Sequence, residues 1–173
     1  MALYEFEGRR PVVGVDSYVC ETADVIGEVR IGDRCYIGPG ARIKGDYGTI
    51  EIGNETSVQE NCILHARPGE SCTVGNGCTV GHGAILHNCV IEDEVVIGMG
   101  AIVSDWAVIR TGAVVAEGAV VRQRAEIPAN KTAAGVPAKV LGEVTEKGRE
   151  FQQLARDVCP ELARRYAKSL KKL

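Results

Sequence analysis

An aliphatic residue returns every six positions along most of this chain, and few folds accept that period. The series runs Val13, Val19, Val25, Ile31, Ile37, Ile43, then Ile52, Val58, Leu64, then Val74, Val80, Leu86. It continues from Ile91 through Ile97, Val103, Ile109, Val115 and Val121 to Ile127. An amphipathic helix repeats at about 3.6 residues and a half-buried strand at about 2, so neither fits. A six-residue period marks a hexapeptide β-helix, in which each hexad supplies one short strand and one corner. Three hexads close a triangular coil, so the nineteen aliphatic positions imply about six coils. Composition agrees: Val and Ile dominate, glycine numbers 21 and aromatics are only 5%, which suits stacked strands better than a mixed core. The expected fold is therefore all-β, a parallel β-helix over residues 1–142, followed by a tail over 143–173.

The tail reads as helix. Phe151, Leu154, Ala155 and Val158 form an apolar stripe at helical spacing, and Leu162, Tyr166 and Leu170 form a second. Both stripes are expected to pack back on the prism. Pro160 disfavours helical geometry at Cys159, so a kink or a pair of helices is expected.

The breaks in the period cluster. Ile43 to Ile52 is three residues too long, Leu64 to Val74 four too long, and Leu86 to Ile91 one too short. The first predicts a bulge near Asp46-Tyr47-Gly48, the second a loop at Arg67-Pro68-Gly69-Glu70. All three flank the only histidines, His65, His82 and His87, and irregularities in solenoids gather on binding faces. His65 and His87 each follow an inward leucine. They are 22 residues apart, and removing the four-residue insertion leaves 18, one coil. They should stack on one face, in a column with Lys44. His82 falls on a neighbouring face or corner, so it meets the other two only if prisms associate side by side about a threefold axis. Three imidazoles with an open fourth position form a catalytic zinc-type site.

Charge and cysteine usage narrow the classes. The net charge of −3 gives no excess of cations for phosphates, so nucleic acid is excluded as a partner. No apolar run reaches the length of a membrane span and the N-terminus lacks a signal-peptide pattern. Seven cysteines without a C-x-x-C pair argue for reduced, buried thiols and a cytoplasmic protein.

The segments IKGD (43–46), VQENCILH (58–65), VGHGAILHNCVI (80–91), IGMGAIV (97–103) and AAGVPAK (133–139) resemble the gamma-class carbonic anhydrases. The resemblance covers roughly residues 11–140. HARPGE, IPAN (127–130) and ELARRY look closest to the bacterial branch with the phenylacetate-degradation thioesterase and the carnitine-operon protein. It implies a left-handed helix and a homotrimer whose interfaces bind zinc, with iron or cobalt as alternatives. The ligands would be His65 and His87 of one subunit and His82 of its neighbour. Gln59, Glu60, Lys44 and Asp46 would be catalytic, with Gln59 near the metal-bound water. Glu60 stands where the family has Asp, Ser57 where it has Asn, and Lys44 where it has Arg, and no acidic shuttle loop is present. Hydration of CO2 to bicarbonate by a zinc-dependent lyase is the activity expected from this resemblance. Hydrolysis of an acyl-CoA thioester is the alternative, with Arg67 or tail arginines holding the CoA phosphates. Acyl transfer comes next, since AAGVPAK also closes the prism of hexapeptide acetyltransferases. A non-catalytic trimer is the remaining reading.

Overall fold

The structure, a computed structural model, describes residues 2–172, the side chains of Ala2 and Cys159 excepted. It is a left-handed parallel β-helix with one C-terminal helix laid along one of its faces, back to the rungs of Tyr18 and Tyr36. Most strands are two or three residues long, as a six-residue repeat dictates. Three columns of inward side chains make the core. One runs Val25–Ile43–Leu64–Leu86–Val103–Val121. A second runs Val19–Ile37–Val58–Val80–Ile97–Val115–Ala133. The third runs Val13–Ile31–Ile52–Val74–Ile91–Ile109–Ile127. The second column gives seven parallel rungs, one more than the aliphatic count implied. Its last inward residue, Ala133, is too small to register in a Val/Ile/Leu pattern.

Two positions before most of the large aliphatic residues the pleat points inward again, and there the residue is usually small, Val29, Ile50 and Val95 excepted. Ala23, Ala41, Ala84, Ala101, Ala107, Ala113 and Ala119 occupy that slot, as do Cys35, Cys62, Cys72, Cys78 and Cys89, all buried. The cysteines are thus core filler of alanine-like size. Cys20 is buried as well, and all six described cysteines are free; the side chain of Cys159 lies outside the described part.

The corners are pinned by a ladder of side-chain caps. Asp33 accepts from Val15 N, Asn54 from Asp33 N, Asn76 from Asn54 N and Asp93 from Asn76 N, at 2.7–2.9 Å. These bonds satisfy backbone donors that the short strands cannot pair.

The insertion before Ile52 is absorbed inside one strand, Arg42–Ile52. The register against Asp24–Ile31 jumps from Gly27↔Gly45 to Val29↔Ile50. Gly45 is required at this jump: a Cβ there would lie 2.2 Å from the Glu28 carbonyl oxygen.

The tail departs from expectation in two ways. It is one continuous helix, Glu146–Ser169, with Pro160 inside it. Both of its halves are anchored, which holds the helix through the missing N–H. Gln152 donates to the Gly112 carbonyl at 3.0 Å in the first half. In the second, Ala163 is buried and Tyr166 packs at 5.3 Å on both Tyr18 and Tyr36. The stripe expected to pack does not: Phe151, Leu154 and Val158 are 61%, 58% and 48% exposed. No helix among the described residues is long and apolar enough to cross a membrane.

Candidate functional site

Lys44, His65 and His87 stand in register on adjacent strands, as the spacing predicts. The bulge after Gly45 turns Asp46 toward this column, where its carboxylate meets Lys44 Nζ at 2.9 Å and His65 Nε2 at 3.0 Å. Burial raises the Asp46 carboxyl, but the bonds from Lys44 and His65 outweigh it and hold the group below the usual range. Tyr47 sets its ring edge against His65, and Arg9 donates to the Asp46 carbonyl at 2.6 Å, tying the N-terminal segment to the bulge.

His65 Nδ1 faces His87 Nε2 at 3.2 Å, and His87 Nδ1 faces Asp105 Oδ1 at 2.9 Å. Asp46, His65, His87 and Asp105 thus form one chain. Each imidazole donates its outer N–H to a carboxylate, so the two inner nitrogens present lone pairs to each other. A proton shared between the two rings, or a cation bound by both, relieves that opposition. Two nitrogens bound to one ion at the tetrahedral angle lie about 3.3 Å apart, and the observed gap is close to that. Asp105 was not among the residues singled out from sequence. Its signal is simple: it lies 18 residues, one coil, after His87.

Asp105 is held from its other side by Arg67, with contacts of 2.6 and 3.2 Å. That pairing, with His87, sets its carboxyl at about 2. Arg67 also lies over the Trp106 ring at 5.3 Å, and Arg124 lies over the same ring at 4.4 Å. The loop after His65 therefore folds back on the next rungs. Its Glu70 accepts from Trp106 Nε1 at 2.7 Å and bonds Asn88.

His82, Gln59 and Glu60 gather elsewhere, at the corner beside the C-terminal helix. His82 Nδ1 meets Glu60 Oε2 at 2.5 Å, Glu60 Oε1 accepts from Tyr36 Oη at 2.9 Å, and Gln59 Oε1 accepts from His82 N at 3.2 Å. The four residues expected to be catalytic are thus divided between two groups: Lys44 and Asp46 with His65 and His87, Gln59 and Glu60 with His82. Among the described residues no three ligand side chains of one chain converge on a point.

The donor set nonetheless fits a metal. Each of the three histidines has one ring nitrogen on a carboxylate (Asp46, Asp105 or Glu60), the pattern that fixes tautomer and orientation in metal-ligating histidines.

The three faces of the prism differ outside as well. One carries charged pairs such as Arg30–Glu51 and Arg110 between Glu92 and Glu126. A second, with Tyr36, lies under the C-terminal helix. The histidine-bearing third presents an outward apolar column, Ile63–Ile85–Ile102–Val120, with Ile63 41% exposed.

No family model matches the chain. It is 35% identical over 163 residues to the carnitine operon protein CaiE of Salmonella newport, covering 94% of this chain and 82% of CaiE. Among solved structures it is similar to a Bacillus cereus protein, the product of the BC4754 gene, provisionally described as an acetyltransferase. The identity is 34%, the TM-score 0.94, and 98% of both chains is covered. A hexapeptide transferase family protein of Anaplasma phagocytophilum gives 32% identity and a TM-score of 0.92, over 95% of this chain and 98% of that one.

These relatives overturn the expected zinc-dependent carbonic anhydrase-like lyase, since they are described as transferases and as CaiE, and none of them as an anhydrase. The site gives a physical reason in the same direction. Glu70 is committed to Asn88 and Trp106 and is no proton shuttle. Lys44 meets Asp46 through a single nitrogen, without the two-point grip of an arginine.

Proposed function

The chain belongs to the hexapeptide-repeat transferase family that includes the carnitine operon protein CaiE, and from that membership we propose acyl transfer from a thioester to a small acceptor. The site is shared between two copies in a homotrimer: His65 and His87 of one, His82 with Gln59 and Glu60 of the next. The observation that supports this reading is the facing pair His65 and His87, each held by a carboxylate, with a third carboxylate-held histidine, His82, on another face of the same chain. The uncovered apolar column Ile63–Ile85–Ile102–Val120 beside the histidines supports a second copy as its cover.

Zinc held by the three histidines would act as a Lewis acid toward the thioester carbonyl. The chain's own groups prepare the site. Asp46 and Asp105 fix the tautomers of His65 and His87, and Glu60 does so for His82. Gln59, anchored through its oxygen, has its amide N–H free to orient an acceptor. In the transfer the acceptor's N–H or O–H bond breaks, a C–N or C–O bond forms, the C–S bond breaks, and the thiol departs with the proton.

The test follows free thiol from acetyl-CoA and longer acyl-CoAs with a panel of amines and alcohols. Thiol release should require an acceptor and fall at least about 100-fold in His65→Ala and His82→Ala, the upper end of what losing only a ligand's outer-shell partner costs. Release at the same rate without acceptor, or undiminished in both variants, would contradict acyl transfer at this site.

A further inference from the structure

The stripe on the C-terminal helix stays about half exposed or more, and it borders the polar corner that carries His82. Between helix and prism lies a cleft of about 370 Å³, within the size range of small-molecule sites. Gln59, Glu60 and His82 stand at one part of it, Phe151, Leu154 and Val158 along its outer wall. Leu162 and Ala155 continue that wall, and Tyr36 contributes to the floor. Three large apolar side chains each about half exposed or more on one helix face are costly to solvate unless something covers them.

The helix itself is fixed by other residues, Gln152, Ala163 and Tyr166, so the stripe is not spent on holding the tail. It borders the His82 half of the shared site, so in the proposed trimer the cleft opens at the seam between two copies, opposite the face that carries Ile63 and Ile85. A ligand that fills this cleft and reaches the shared site is apolar along most of its length and ends in a polar, reactive group at His82.

We propose that this cleft binds the acyl chain of the substrate, making medium-chain aliphatic thioesters, rather than acetyl thioesters, the preferred class. The proposal rests on the acyl-transfer reading for the identity of the reactive group, but the cleft's selectivity is measurable without turnover. Each methylene buried should raise affinity about three- to fourfold, until the chain fills the cleft.

The experiment titrates acetyl-, butyryl-, hexanoyl- and octanoyl-CoA into the assembled, metal-loaded protein by calorimetry, with CoA as reference. Affinity is expected to climb with chain length by at least tenfold from acetyl to octanoyl. Leu154→Arg, a change at an exposed position, should collapse that ratio toward one. Equal affinity for all four thioesters, or an unchanged ratio in Leu154→Arg, would overturn the proposal. Dissociation of the assembly by Leu154→Arg would also overturn it, because the stripe would then be covered by a second copy. Chain-length-dependent binding without turnover on any acceptor would uphold the cleft and sink acyl transfer. Turnover on acetyl-CoA with no length dependence would do the reverse.

Discussion

At the residue scale, the site is governed by which side chain occupies which nitrogen. Asp105 is the most polarised group in it, and Arg67 is the largest cause of its depression to about 2. An unfolded aspartate titrates near 3.9. A carboxyl depressed in the folded state contributes stability that is present above the unfolded value and lost as pH falls through the folded one. Arg67→Ala should therefore lower the melting temperature near neutrality. The gap to the parent protein should narrow below about pH 4 and close near pH 2. Thermal melts of both proteins across that window provide the check, and a pH-independent gap would show that Arg67 stabilises through its contact with Trp106 instead. Neither role was legible in the sequence. Arg67 reads there as a loop cation free for a ligand, because the 38-residue separation from Asp105 hides their contact.

At the scale of the element, the repeat was almost fully readable and the helix only half so. The hexad period carries strand positions, rung spacing and the His65–His87 column, because in a solenoid sequence distance converts directly into spatial distance. The three-residue surplus before Ile52 likewise points to the bulge that delivers Asp46. The close approach that makes glycine necessary at position 45 is not readable, since it depends on the Glu28 backbone one rung away. Gly45→Ala should cost about 1–3 kcal/mol in urea unfolding, as overpacking usually does. It should also weaken metal binding by displacing Asp46 from His65. A variant with unchanged stability would mean that the bulge has room to relax. The helix misleads for a different reason. Apolar stripes usually mark the packed face, but here the buried contacts are made by Gln152, whose amide reaches backbone carbonyls that an aliphatic residue would leave unpaired.

At the scale of the whole molecule, each of the three prism faces has a distinct exterior: charged, helix-covered, and apolar with histidines. A triangular solenoid with one such face is suited to closed cyclic association, in which every copy gives one half-site and receives the other. The sequence carried the three histidines and their division between faces. It did not carry the reaction, because a metal-fitting triad is compatible with several chemistries on this fold. The central claim is that the working site lies between copies, and mixing two defective variants tests it most directly. His65→Ala lacks one half of each site and His82→Ala the other, so each alone should be inactive in the thiol-release assay. After the two are unfolded together and reassembled at equal concentration, random threefold assembly should restore about a quarter of the parental activity, because one interface in four joins an intact His65 to an intact His82. Recovery near that level supports a shared site; no recovery, with the trimers verified as mixed, would contradict it.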